Sequence, residues 1–360
     1  MQIGLVGLQF SGKTTLFHTL SNTEHDIAQA VKEEATIEIV KIPDSRLDKL
    51  TSIFNPEKQV NATIEVFDIP GLKMSDDGKV KITSTFLNNV RNNDALFYVV
   101  RQFKSDTVAH PLTTVNPLRD VQFLESEFFL SDLGFLETRI EKLKKDTMKS
   151  KDDKLKKEMA LVEKCFAHAE KEQPLRTLEI DESERKILSG FQLLTLKPLI
   201  IAVNLDEDSI ADVENITSEI REGIQDKSVP IIPFFAKIEY ELSKLSEEDR
   251  QTFMADYGIK ESALSKILRT SYEILGLQSF FTAGEDECRA WTIKKGYNAQ
   301  QSAGVIHSDF FARFIRAEVV HYDDFIFHKS FAKCKEAGVW RLEGKEYVVK
   351  DGDILTIRHN

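Results

Sequence analysis

Gly7-Leu8-Gln9-Phe10-Ser11-Gly12-Lys13-Thr14 sets two glycines, an amine and a hydroxyl at the spacing G-x-x-x-x-G-K-[ST]. That spacing suits a polyphosphate. The glycines let backbone N–H groups close around anionic oxygens, Lys13 can neutralise the β- and γ-phosphates, and the Thr14 hydroxyl can ligate Mg²⁺. An apolar run, Ile3–Val6, precedes the loop, and a helical run, Thr15–Leu20, follows it. Strand, loop and helix in register argue against a chance glycine turn. Gly7, Gln9, Phe10, Ser11, Gly12, Lys13, Thr14 and Thr15 are therefore candidate nucleotide contacts.

Asp68-Ile69-Pro70-Gly71 ends a second apolar run, Thr63–Asp68. Asp68 can hold Mg²⁺ with Thr14, usually through water, and the Gly71 N–H can face a γ-phosphate. Alone, the four residues also describe an ordinary turn. At this distance from the phosphate loop they point to the GTPase-like branch of P-loop proteins. Leu72 stands where a Ras-like enzyme carries the Gln that orients the attacking water. Leucine cannot do this, so Leu72 marks a catalytic position at which hydrolysis is slow or uses another group. The other reading makes Leu72 a packing residue.

Asn204-Leu205-Asp206-Glu207 ends a later apolar run, where a Ras-like domain reads guanine with N-K-x-D. Leu205 and Glu207 replace the Lys and the Asp. A Glu is one methylene too long to accept from both guanine N–H groups, so ATP is expected in preference to GTP. Phe235-Ala236-Lys237 falls where the last base-contacting loop would lie. Plain strand-end turns are the competing reading for both segments, and for the second taken alone that reading is the one to accept.

The elements that must carry these residues alternate short apolar runs with helical patterns, the mark of a parallel sheet covered by helices. The expected strands are Ile3–Val6, Thr63–Asp68, Ala95–Val100, Leu199–Asn204 and Ile231–Phe235. The gap between the third and fourth exceeds what a βα crossover needs. Leu133, Leu136, Ile140 and Leu143, then Leu155, Met159, Val162 and Phe166, step by three and four residues, which predicts a helical hairpin. Lys142, Lys144, Lys145, Lys149, Lys151, Lys154, Lys156 and Lys157 crowd its tip. They read either as solvated faces of an antiparallel coiled coil or as a basic tip for RNA. From about Leu277 the texture is mostly β, with runs at Phe280–Thr282, Arg289–Ile293, Ile315–Val320, Glu346–Val349 and Ile354–Ile357, and a turn at Asp351-Gly352-Asp353. The domain reading is a nucleotide-binding domain over 1–120 and 195–276, a hairpin over 121–194 and a third domain over 277–360.

The 360 residues carry a net charge of -11 with 41% hydrophobic and 30% charged residues, which argues against a general nucleic-acid coat. Cys165, Cys288 and Cys334 lack metal-ligand spacing and suit free thiols in a reducing compartment. Neither a signal peptide nor a membrane span is legible, so the expected location is the cytoplasm.

These residues together resemble the YchF subfamily of Obg-related ATPases, over nearly the whole chain. The resemblance includes Pro43-Asp44-Ser45-Arg46-Leu47-Asp48-Lys49-Leu50, the phosphate loop, D-x-x-G-Leu and N-x-x-E. Its most specific stretches are Phe281–Glu285, Arg289–Ile293, Ala303–His307, Phe314–Glu318 and Asp351–Asp353. It implies a fold of the α/β class: a Ras-like P-loop NTPase domain, an inserted antiparallel coiled coil and a C-terminal β-grasp (TGS) domain. It also implies ATP preference, slow hydrolysis and association with ribosomes. On the residues themselves, Lys149, Lys151, Lys154, Lys156 and Lys157 and the C-terminal domain are the expected contacts for a ribosome or RNA. Arg101-Gln102-Phe103 and His110 resemble a segment whose mobile His is proposed to replace the missing Gln. An exposed loop His without a role is the competing reading. The chain departs from the subfamily at three places. Gln9-Phe10 stands for the usual P-N, and Phe10 argues against the monovalent cation that the Asn holds. Lys73–Lys79 replaces a glycine-rich switch. Thr36 is the nearest hydroxyl in the other switch.

Overall fold

The structure, a computed structural model, describes residues 1–21, 35–72, 80, 82–150, 152–256 and 261–360. His25, Lys73–Lys79 and Lys151 lie outside the described residues. The strands are β1 (Gln2–Val6), β2 (Thr36–Lys41), β3 (Lys58–Val60), β4 (Thr63–Asp68), β5 (Ala95–Arg101), β6 (Leu199–Asn204), β7 (Ile231–Phe234), β8 (Leu277–Ala283), β9 (Glu287–Lys294), β10 (Phe314–His321), β11 (Arg341–Glu343) and β12 (Asp353–His359). They fall in two compact units: Met1–Glu38 with Glu65–Ile267, and Ile39–Ile64 with Leu268–Asn360.

The first unit is built on a sheet of order β2-β4-β1-β5-β6-β7. β5 and β6 are buried at every position, as unbroken apolar runs must be when helices cover both faces. Parallel pairing sets Leu5 against Asp68, Val6 against Tyr98, and Arg101 against Asn204. The C-terminal ends of β1, β4, β5, β6 and β7 therefore share one edge, where open α/β sheets bind ligands. The core on the hairpin side joins Val6, Ile69, Leu72, Val90, Leu96, Val121, Leu124, Phe128, Ile201 and Leu205.

The hairpin is present, but its first helix starts earlier than its stripe suggested. It runs unbroken over Pro117–Lys149, with Asn116 as N-cap and Pro117 in the first turn, where its missing N–H costs nothing. Its first turns pack Val121, Leu124 and Phe128 into the sheet's core. Further along, Leu136 and Leu143 meet Leu161, Val162 and Cys165 of the second helix, Asp153–Ala169. Buried Asp132 fixes the base of the hairpin by accepting from the Leu194 and Thr195 N–H groups and the Thr195 hydroxyl.

The second unit is a sheet of order β11-β10-β12-β8-β9-β3 over a core of Phe280, Ile293, Ala317, Val319, Val349 and Leu355. Three features depart from the sequence reading. Glu346–Val349 is not a strand; Val348 makes an isolated bridge to Asn298, and β11 takes the edge instead. Helices Ala299–Ile306, Ser308–Ala312, Tyr322–His328 and Phe331–Glu336 break up the expected β texture. Residues 39–64, read as part of the nucleotide domain, belong to this unit. β3 pairs with β9, Phe54 stacks on Phe325, and Arg46 bonds both Asp44 and Asp351. Apart from Arg46–Asp44, these contacts join residues far apart in sequence, so no local pattern announces them. All three cysteines are buried and free.

Candidate functional site

The phosphate loop hangs between β1 and the helix Lys13–Ser21. Both of its glycines are sterically required. A Cβ on Gly7 would lie 2.3 Å from the Val99 carbonyl oxygen, and one on Gly12, at φ +93°, 2.1 Å from Asn204 Nδ2. Phe10 holds a left-handed φ of 61° that ordinarily favours glycine, with its side chain exposed. Ser11 is buried.

The β4 end closes on this loop. Gln9 N–H donates to the Leu72 carbonyl (3.2 Å) and Leu72 N–H to the Gly7 carbonyl (3.3 Å). Lys13 is buried with its amine against the loop: Nζ donates to the Leu8 carbonyl at 3.4 Å. A Cβ on Gly71 would come within 2.8 Å of that Nζ, so the glycine is what leaves the amine room. Burial lowers the Lys13 pKa, and the Asp68 carboxylate opposes that shift in part. The Thr14 hydroxyl donates to Asp68 Oδ2 at 2.8 Å. A hydroxyl and a carboxylate already in contact at a helix N-terminus form the hard oxygen donor set that Mg²⁺ takes, so these residues fit the ion.

Asn204, 3% exposed, is the brace between the loop and the far wall. Its Nδ2 donates to the Ser11 carbonyl (3.1 Å), and its Oδ1 accepts from the Ala236 N–H (3.2 Å). Beside it opens a cavity of about 580 Å³, lined by Gly12, Thr15, Asn204, Leu205, Glu207, Phe235, Ala236 and Lys237 from the sequence reading. Phe103, Lys104, Asp206, Asp208, Ile238 and Tyr240 line it as well and were not picked out as contacts. Their one legible signal is position, since most follow the C-terminal ends of β5, β6 and β7.

The carboxylates here are engaged. Asp206 accepts from the Lys104 N–H (3.0 Å) and the Ser209 hydroxyl. Burial would raise its pKa, but these bonds win and hold it below the usual carboxylate range. Glu207 is exposed and faces Lys237 at 3.5 Å. Leu205 packs into the core.

The two catalytic candidates are placed differently from a water-orienting group. Leu72 is buried in the core with Leu8 and Ile69, as the packing reading has it. His110 is neither exposed nor free. It is buried, with Nε2 3.0 Å from Asp120 Oδ2 and Nδ1 accepting from the Leu112 N–H at 3.1 Å. Those partners fix the tautomer with the proton on Nε2. Burial lowers its pKa despite the pull of Asp120. Serving water would require the ring to leave both bonds. Thr36 begins β2, an edge strand. His18 is buried in its helix, and His168 bonds Thr177.

Fold and site define a P-loop nucleotide-binding protein of the GTPase class. Residues 2–128 match the family model described as a 50S ribosome-binding GTPase, and residues 277–360 the one named YchF-GTPase_C, described as a protein of unknown function. The chain is 40% identical to the ribosome-binding ATPase YchF of Bacillus subtilis, over 99% of this chain and 98% of that protein. It is 39% identical to the ribosome-binding ATPase YchF of Pasteurella multocida, with the same coverage. Its structure is similar to that of the Schizosaccharomyces pombe YchF GTPase, with a TM-score of 0.87, 33% identity, and 99% and 97% of the two chains covered. The chain belongs to the YchF family. No helix among the described residues is long and apolar enough to cross a membrane.

Proposed function

We propose that this protein is a slow, Mg²⁺-dependent ATPase that associates with ribosomes in the cytoplasm. The observation that carries the reading is the closed set of Lys13, Gly71, Thr14 and Asp68 around one loop, braced by Asn204 to a cavity of nucleotide size. The loop's N–H groups and the Lys13 ammonium would hold the β- and γ-phosphates, and Gly71 would face the terminal one. Among the described residues no carboxylate bonds Lys13 directly, so an incoming phosphate restores the electrostatic partner that burial denies it. Thr14 and Asp68 would hold Mg²⁺, which when bound neutralises charge on the phosphates. Hydrolysis is slow because Leu72 and the engaged His110 leave the attacking water without an evident base.

Adenine is favoured by what the base-side wall lacks. Asp206 is taken by Lys104 and Ser209, and Glu207 lies out beside Lys237, so neither carboxylate is set to accept two guanine N–H bonds. The names of the curated relatives support both the ATPase and the ribosome parts of the reading. Exposed Lys149, Lys154, Lys156 and Lys157, near the hairpin tip, offer phosphate contacts for ribosomal RNA, with the C-terminal unit as a second surface.

A second reading rests on the placement of Leu72 and His110: a nucleotide-gated ribosome-binding protein without useful hydrolysis. Single-turnover hydrolysis of bound ATP separates the two. Competition between ATP and GTP with Mg²⁺ present tests the base; a tenfold preference for GTP would overturn the ATP assignment and leave the fold untouched.

A further inference from the structure

Arg101 is the last residue of β5 and one of the largest fully buried side chains in the chain, at 2% exposure. Among the described residues no carboxylate bonds it. Its Nε donates to the Phe103 carbonyl (3.0 Å), its Nη2 to the Val108 carbonyl (3.0 Å), and Nη1 has no hydrogen-bond partner among the described residues. The guanidinium also lies over the Phe103 ring, 4.3 Å from the centroid. A buried cation held by carbonyls alone is an expensive way to stabilise a loop, because apolar side chains of similar volume usually serve stability as well or better. The expense points to a positioning role, and its neighbours say for what.

Phe103 lines the cavity beside Gly12, Asn204 and Leu205. Its N–H bonds the Asn204 carbonyl at 3.2 Å, so backbone and ring are tied to the two ends of the base-side wall. We propose that Arg101 is a positioning residue for base recognition. Its fork fixes the direction of the Phe103 ring as a wall of the cavity, and through Val108 it pins the returning loop that holds the ring in place. This rests on the nucleotide-site reading above and deepens it. Among the described residues the hydrogen bonds and ring contact of Arg101 go to Phe103 and Val108 and to no phosphate-loop residue, so its effect falls on the base and not on the phosphates. With the guanidinium on one ring face, a base would stack on the other, a contact that needs no hydrogen-bond readout.

The test compares two ligands on the full chain: ATP, and inorganic tripolyphosphate, which engages only the phosphate loop. Arg101→Met keeps the stem and removes the fork. ATP affinity is expected to fall by about tenfold or more, the scale of one desolvated cation–π contact with its hydrogen bonds. Tripolyphosphate affinity should stay within about twofold, because the Arg101 fork bonds Phe103 and Val108 and not the phosphate loop. Phe103→Leu should lower ATP affinity comparably, and Arg101→Met added to Phe103→Leu should cost little more, since one residue acts through the other. If Arg101→Met melts below the assay temperature, Arg101→Lys, which keeps the charge and loses the fork, is measured instead, with the same expectations. Unchanged ATP affinity, equal losses for both ligands, or additive losses in the double variant would each overturn the proposal. Wild-type protein that binds tripolyphosphate but not ATP overturns the base-side assignment altogether; binding of neither overturns the nucleotide-site reading itself.

Discussion

Replacing one atom of Asn204 tests the brace at the centre of the site. Its amide is oriented by its partners: the Ser11 carbonyl demands a donor, and the Ala236 N–H demands an acceptor. Asn204→Asp keeps size and shape, and keeps the acceptor for Ala236. It turns the 3.1 Å donor contact into oxygen against oxygen in a buried place. Losing the bond and stranding the Ser11 carbonyl costs ~2 kcal/mol, which is about thirtyfold in affinity if the bound loop needs the native geometry. Asn204→Ala deletes both bonds but opposes nothing, and room for water softens the loss. The expected order of ATP affinity is therefore wild type, then Asn204→Ala, then Asn204→Asp. Gly12→Ala should resemble Asn204→Ala, because its Cβ would displace the same amide. Titration with a fluorescent adenine nucleotide and Mg²⁺ reads all four proteins. If Asn204→Asp binds as tightly as wild type, or more tightly than Asn204→Ala, the brace is refuted.

Lys13→Ala should abolish detectable ATP binding by calorimetry while leaving the fold intact; unchanged affinity would remove the phosphate-loop assignment. His110→Ala should slow single-turnover hydrolysis by about tenfold or less, because the ring is anchored; a loss nearer ~10²-fold, within the range of a general base, would return it to the attacking water. The same residue sets a pH dependence. Its pKa is lowered on folding, so as pH falls the unfolded chain takes the proton first, and stability is lost from about pH 6.5 down to the folded value. Wild type should lose more melting temperature between pH 7 and 5 than His110→Asn, and equal losses would show that His110 is not held neutral. Changing Lys149, Lys154, Lys156 and Lys157 to Gln should weaken ribosome co-sedimentation and flatten its log–log salt slope by up to about 3. An unchanged slope would move the docking surface elsewhere.

The sequence by itself determined what depends on local order. A glycine loop between an apolar run and a helix can hardly be anything else, and Thr14, Asp68 and Asn204 sit at strand or loop ends where the backbone must carry them to one edge. The helical stripes of the hairpin were legible because a period of three and four residues survives any tertiary context. Tertiary structure alone decided the rest. Residues 39–64 fell inside the span read as the nucleotide-binding domain, and Asp351, Phe325 and β9, far along the chain, assign them to the second unit. Glu346–Val349 has strand composition but only an isolated bridge as a ladder partner, since pairing is a property of two segments and not of one. His110 and Arg101 show the same limit at the site. A histidine in a loop or an arginine closing a strand has no period to betray its burial, and whether it meets water, a carboxylate or a ring depends on neighbours that folding alone brings.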